Sequence, residues 1–274
     1  MRSTLFNVLF YAGTFVFALI CVLLSILPGR KALMVGLSTY TRSMKWLMRH
    51  VAGIKITVTG QEHIPKEGAI IIAAKHQSYG DGIVTFSEFH DLSFVTGDHL
   101  EKFWLLKKIL GKMNAVVIDS CGGVDAREKM AETSAVVREQ GRRILIYPEG
   151  HLSKIGTQHR YRKGVFHLYK DFGCPVVPVA TNLGQRWDQN SWTKHRGAAA
   201  QEFLEPIMPG LEKDEFMAEL ERRIETRSIE MLDMENLGAL DPANIGKTVE
   251  NEVALAKRLE REAEENTATN GETS

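Results

Sequence analysis

The stretch Lys75-His76-Gln77-Ser78-Tyr79-Gly80-Asp81 sets an imidazole five residues before a carboxylate, with a glycine between them. A carboxylate that accepts from one imidazole nitrogen fixes the ring's tautomer and stabilises its charged form. The other nitrogen is then free to take a proton from a hydroxyl. On a continuous α-helix five residues turn two side chains about 140° apart. The pair meets only if His76 lies in a turn and Asp81 in the first turn of the helix that follows, with Ser78 or Gly80 as cap. A buried or helix-capping histidine is the competing reading. The chain holds no GxSxG elbow, no GxxxxGK[ST] loop and no HExxH. An enzyme of this sequence therefore uses a base to activate a bound hydroxyl directly, with no covalent intermediate on the protein.

The elements around the pair follow from hydrophobic pattern. Ala69 to Ala74 is an apolar run, as expected of a strand buried on both faces of a parallel sheet. Strands are also predicted at 54–59, 92–96, 115–119, 143–147, 175–180 and 202–206, and helices at 81–89, 100–110, 126–140, 165–171, 211–232 and 249–264. This alternation predicts an α/β fold: a mixed, mostly parallel sheet flanked by helices. Ligands of such sheets collect at the carboxyl ends of the strands. His76, Ser120 and Glu149 all fall just past predicted strand ends, which argues for one shared site.

Charge and composition narrow the partners. Of 274 residues, 44% are hydrophobic and 25% charged, and the formal net charge is zero. Zero net charge gives no support to a nucleic-acid partner. Three scattered cysteines without CxxC spacing argue against a zinc site or a disulfide framework. Cys121, beside Ser120, has no basic neighbour and reads as a bystander thiol. From Ser3 to Gly29 no side chain is charged, and Leu5 to Leu27 is long enough to cross a bilayer core of roughly 30 Å. An uncleaved anchor is the first reading; an interfacial helix and a buried core helix compete with it. Arg30, Lys31, Arg42, Lys45, Arg49 and His50 follow, so a spanning anchor would leave the bulk of the chain in the cytoplasm. Residues 31–51 form a basic amphipathic helix, suited to packing on the domain or to an anionic membrane surface. The expected organisation is an anchor and amphipathic helix at 1–52, a catalytic domain at 53–235, and a charged extension with a disordered tail at 236–274.

Four blocks in order carry a family resemblance. His76 to Asp81 resembles the HxxxxD motif of the glycerolipid acyltransferases, the lysophosphatidate acyltransferase (PlsC-like) family. Asn114 to Ser120 resembles that family's strand ending in Ile-Asp-Arg, Pro148-Glu149-Gly150 the start of its PEGTR motif, and Val176 to Ala180 its fourth block. Lys163-Gly164 and Asn182 to Trp187 are similar to the flanking pattern, and the likeness spans roughly residues 45–235. It implies transfer of an acyl chain from acyl-CoA or acyl-carrier protein to a lysolipid hydroxyl, with no metal and no bound cofactor. By the same resemblance His76 is the base, Asp81 its orienting partner, and Glu149 and Gly150 help hold the acceptor. Val176 to Val179 is a core strand or lines the acyl path, and the segment 103–108 is a core helix or lies at the membrane.

Three departures leave the acceptor open. The family has arginine where this chain has Ser120 and Leu152, and threonine where it has His151. Those arginines suit a phosphate, which guanidinium grips in bidentate fashion. Either Lys154, Arg160, Arg162 or Lys163 supplies the charge from a shifted position, or the acceptor is not a phosphomonoester, or activity is lost. A lysolipid with another head group ranks first, with lysophosphatidate close behind. The acceptor-side residues are then Glu149, Gly150, His151, Ser120 and Lys154. The expected protein is a membrane-anchored, cytoplasm-facing O-acyltransferase of lipid biosynthesis. A catalytically inactive lipid-binding protein on the same fold is the alternative.

Overall fold

The computed structural model describes residues 1–97, 100, 102, 104–118, 124–189 and 191–249, apart from the side chains of 105, 124–127 and 129. Seven strands form one sheet: β1 (Ile54–Thr59), β2 (Ile70–Ala74), β3 (Leu92–Gly97), β4 (Val116–Ile118), β5 (Arg143–Ile146), β6 (Val176–Thr181) and β7 (Gly197–Phe203). Their order is β1-β7-β6-β2-β5-β3-β4. Every neighbouring pair is parallel except β6 and β7. The mixed, mostly parallel sheet is thus present. β2 and β6 are buried along their whole length, as unbroken apolar runs require at the centre of a two-faced sheet.

The helices are α1 (Arg2–Ile26), α2 (Lys31–Leu47), α3 (Gly80–Ser87), α4 (Trp104–Met113), α5 (Val124–Glu139), α6 (Gly164–Phe172) and α7 (Lys213–Glu230). One face of the sheet packs on α5, α6 and α7 through Met130, Phe166, Phe172, Phe216 and Leu220. The last strand begins at Gly197, five residues before its predicted start, because Ala198-Ala199-Ala200 lacks the β-branched residues that mark strands in sequence. The predicted helix at 249–264 lies outside the described residues from 250 onward.

The apolar N-terminal run folds as one helix, but it does not stand apart. Phe6 and Phe10 set their rings edge-on to Trp187, with centroids 5.2 and 4.9 Å away. Asn7 Nδ2 donates to Trp192 O at 2.8 Å, Arg2 Nε to Val51 O at 3.1 Å, and Lys112 Nζ to Leu27 O at 3.0 Å. Both ends of a helix about 37 Å long are therefore held against the domain, and α2 packs beside it through Leu33, Met34 and Met44. The opposite face of α1 presents Leu5, Val8, Leu9, Phe15, Val16, Leu19, Ile20 and Leu23 to the outside. Val35 and Trp46 of α2 and Trp104 of α4 are also exposed.

Candidate active site

β2 leads straight into the site. The Lys75 amide still donates to Val179 O at 3.0 Å, after which the chain leaves the sheet. Asp81, in the first turn of α3, reaches back: its Oδ2 accepts from the Gln77 and Ser78 amides, each at 2.7 Å. Ser78 Oγ accepts from the Gly80 amide at 3.0 Å, while Tyr79, at the N-cap position, contributes no side-chain cap. The turn closes tightly because Gly80 lacks a side chain; a Cβ would come within 2.8 Å of Leu183 and 2.9 Å of Met48. The same Asp81 Oδ2 lies 3.3 Å from His76 Nδ1. The five-residue spacing is thus bridged by a loop that wraps the carboxylate, as the helix geometry demanded.

The imidazole is held on its face as well as its edge. Tyr147, the residue after β5, stacks on His76 at 3.8 Å between centroids and 13° between planes. Burial pushes the Tyr147 phenol well above its ordinary value, and the Asp81 charge adds to the shift. The phenol is a neutral ring with a buried hydroxyl that has no hydrogen-bond partner among the described residues. Asp81 is 1% exposed and the His76 side chain 20%, so the carboxylate is dry and the base reaches the surface. Nδ1 faces Asp81; Nε2 makes no hydrogen bond among the described residues.

β5 runs parallel to β2 and delivers the second loop to the same end of the sheet. Gly150 takes a left-handed φ of 72°, and a Cβ there would overlap the Arg162 guanidinium, so this position requires glycine. The Arg162 amide donates to Pro148 O at 2.7 Å. Ser153 donates to the His76 carbonyl from both its amide (2.7 Å) and its hydroxyl (3.0 Å), which ties the two loops together. His151 Nδ1 donates to Glu149 O at 2.9 Å. That assigns His151 Nε2 as acceptor from His159 Nδ1, 3.2 Å away, and His159 Nε2 sits 3.1 Å from the Thr157 hydroxyl. Burial lowers both imidazoles, His159 to about 4 with help from the neighbouring His151 and Lys75, so the pair is neutral at pH 7.

Glu149 is placed differently from the resemblance-based expectation. Its side chain is fully buried and points inward, where Lys75 Nζ lies 2.5 Å from Oε1. The contact is a close ion pair rather than an aligned hydrogen bond. Burial raises the Glu149 carboxyl to about 7; Lys75 pulls it back and Glu225 pushes it up. His76, Asp81, Gly150 and His151 come together, whereas the Glu149 carboxylate lies beneath them. Lys154 is exposed and serves the loop through its carbonyl, which accepts from Thr157. Ser120 and Cys121 lie outside the described residues. Leu152 is half-buried, and its carbonyl accepts from Gln189.

Sequence reasoning passed over Tyr147, Ser153 and Lys75, although two of these adjoin motifs it had found. It also passed over Glu225, which lies 150 positions from Lys75 with no motif to mark it. Val176 to Val179 is core strand throughout. In α4, Ile109, Leu110 and Met113 are buried while Trp104 is 67% exposed, so this helix is amphipathic rather than wholly core.

A family model described as Acyltransferase matches residues 55–182. The 1-acyl-sn-glycerol-3-phosphate acyltransferase of Pseudomonas aeruginosa is 30% identical over 227 residues, covering 82% of this chain and 88% of that protein. The human 1-acyl-sn-glycerol-3-phosphate acyltransferase alpha is 25% identical over 222 residues, with 79% and 77% covered. The crystal structure of the 1-acyl-sn-glycerophosphate (LPA) acyltransferase PlsC from Thermotoga maritima matches with a TM-score of 0.70 at 21% identity, over 84% of this chain and 97% of that one, and at that identity the likeness is one of fold. This chain belongs to the glycerolipid acyltransferase family and is an O-acyltransferase.

Proposed function

We propose that the protein acylates the free hydroxyl of 1-acyl-glycerol-3-phosphate in phospholipid synthesis, with acyl-CoA or acyl-carrier protein as donor and His76 as general base. The observation that carries this reading is the His76–Asp81 unit: Nδ1 on a buried carboxylate, the ring stacked on Tyr147 and Nε2 unengaged among the described residues. Nε2 takes the acceptor's hydroxyl proton as the oxygen attacks the thioester carbonyl. Asp81 stabilises the imidazolium that forms. When the tetrahedral adduct collapses, the C–S bond breaks and the thiolate leaves with the proton that His76 holds. No covalent acyl-enzyme is needed.

The acceptor ranking suggested by sequence alone is reversed. The relatives are named for 1-acyl-glycerol-3-phosphate, and Arg162 supplies the charge that Ser120 and Leu152 lack. Its guanidinium packs on Gly150 in the acceptor block, is exposed, and has no ion-pair partner among the described residues. A free guanidinium there suits bidentate capture of a phosphomonoester. The N-terminal helix supports attachment to one leaflet rather than a span. A spanning helix leaves the domain at one end, whereas α1 is tied down at both and turns a continuous apolar stripe outward. With Lys31 and Arg42 exposed on α2 and Arg49 just after it, the cytoplasmic leaflet, where both donors occur, is the proposed location.

The test is turnover by the purified full chain in detergent, with both donors, against lysophosphatidate and lysolipids bearing uncharged or amino-acid head groups. At least ten-fold preference for lysophosphatidate is expected, lost in Arg162→Ala. Preference for an uncharged head group would refute the acceptor assignment, full activity in His76→Ala the base, and silence on every acceptor the enzyme reading itself.

A further inference from the structure

Beneath the His76 loop lies a group of charges that the acyl-transfer steps do not use. Lys75 Nζ contacts Glu149 Oε1 at 2.5 Å, both Glu225 oxygens at 2.8 and 2.9 Å, and the Thr157 carbonyl at 3.1 Å. The Tyr161 hydroxyl donates to Glu225 Oε1 at 2.8 Å. The side chains of Lys75, Glu149 and Glu225 are 0%, 0% and 5% exposed. The partners come from two parts of the chain: the connection between β5 and α6, through Glu149 and Thr157, and helix α7, through Glu225.

Full burial of one cation and two anions is costly unless the geometry is close. Such a group therefore holds its members in place far more tightly than surface ion pairs do. Two of the members adjoin the site by one bond in the chain. Lys75 precedes His76, and Glu149 precedes Gly150, whose loop carries Ser153 to the His76 carbonyl. Helix α7 supplies the third point through Glu225.

We propose that Lys75, Glu149 and Glu225 form a buried clamp that positions the His76 and Gly150 loops, with Glu149 acting through the clamp and not on the acceptor. Glu225 is thereby a positioning residue for a site that it does not touch. One ammonium between two carboxylates leaves an excess negative charge, and the raised Glu149 carboxyl accommodates a proton shared within the group. Glutamine at 149 is then close to the native arrangement in both shape and charge, whereas glutamine at 225 turns an N–H donor against an ammonium to which both carboxylate oxygens now accept. An apolar residue at 225 releases α7 from Lys75. Misplacement of a base by about 1 Å costs on the order of 100-fold in rate, so release is expected to be felt in turnover.

This inference rests on His76 being the base. The experiment compares the full-length wild type, His76→Ala, Glu149→Gln, Glu225→Gln and Glu225→Leu in detergent. The acceptor is 1-oleoyl-glycerol-3-phosphate, and the donor is palmitoyl-CoA or palmitoyl-acyl-carrier protein, whichever the wild type uses. Glu225→Leu is expected to lower kcat ten-fold or more with acceptor KM within two-fold. Glu149→Gln is expected to keep kcat within three-fold and KM within two-fold, and Glu225→Gln to lower kcat by less than Glu225→Leu at unchanged KM. A ten-fold rise of acceptor KM in Glu149→Gln would overturn the proposal by putting that carboxylate on the acceptor. Wild-type kcat in Glu225→Leu with a lowered melting temperature would overturn it by making the clamp merely structural. If Glu225→Leu does not fold, Tyr161→Phe, which removes only the donor to Glu225, carries the test: lower kcat at unchanged KM is expected, and wild-type kcat overturns the proposal. Retained turnover in His76→Ala would instead fault the base assignment.

Discussion

Asp81 does two jobs with one oxygen, and two substitutions separate them. Oδ2 accepts from the Gln77 and Ser78 amides at 2.7 Å and lies 3.3 Å from His76 Nδ1. In Asp81→Asn the amide oxygen still accepts from both backbone N–H groups, so the loop keeps its shape. The charge is lost, and each of two charge-assisted bonds drops to a neutral one, a change of about 1 kcal/mol apiece. The expected loss of stability is thus about 1–2 kcal/mol. The catalytic loss is larger, because a developing imidazolium no longer meets an anion across the ring. A drop in kcat of about 10²–10⁴, the range a positioned general base contributes, or roughly 2.7–5.5 kcal/mol at the barrier, is expected. Asp81→Ala instead strands two buried amides, each costing about 1–3 kcal/mol, and empties a site that is only 1% exposed. Its stability loss should exceed that of Asn by at least 1 kcal/mol at a similar kcat. Urea unfolding and steady-state kinetics on the same preparations measure both. Wild-type kcat in Asp81→Asn would refute the charge argument. Equal stability losses in the two variants would refute the wrapped-loop argument.

Three further outcomes follow from the same geometry. Glu149, raised to about 7, holds a proton in the folded state that the unfolded chain has lost above about 4.5. Its contribution to stability therefore falls as pH rises from 4.5 to 7, whereas His159, lowered to about 4, makes stability fall as pH drops from 6.5 to 4. Melting curves of Glu149→Gln should keep only the second slope, and retention of the first would place the proton elsewhere. Tyr147→Phe removes a buried hydroxyl with no partner among the described residues and keeps the ring stacked on His76, so it should leave stability unchanged or raise it by up to about 1 kcal/mol, with kcat retained; a loss above 1 kcal/mol on denaturation would reveal a partner for that hydroxyl. Leu23→Glu, on a residue 65% exposed in the outward stripe of α1, should weaken sedimentation with phospholipid vesicles at least ten-fold without lowering the melting temperature; undiminished binding would remove α1 from the membrane contact.

The sheet was legible because its strands are coded by local pattern. Ile70-Ile71-Ile72 and Val176-Val177 are long β-branched runs between turn signals, and they occupy the two fully buried central strands. The strand at Gly197–Phe203 was placed late because alanine carries no such signal, and its position comes from pairing with β1 and β6. The His76–Asp81 pair was readable at five-residue spacing because a strand end, a glycine and a helix start constrain that loop from both sides. Arg162 was only one of four candidate cations, since nothing local says which of them folds back over Gly150.

The reaction class and the order of the strands along the chain were readable from sequence, since each strand and each motif block is coded by residues within about ten positions of one another. Tertiary structure decided what distance in the chain conceals. Glu149, expected beside the acceptor, turns inward because a lysine 74 positions earlier and a glutamate 76 positions later meet it in the protein interior. The N-terminal helix has the length and apolarity to cross a bilayer, yet contacts with Trp187, Trp192 and Lys112 lay it along the domain. Hydropathy measures the solvent that a segment prefers, and only packing shows which of its faces has already been covered.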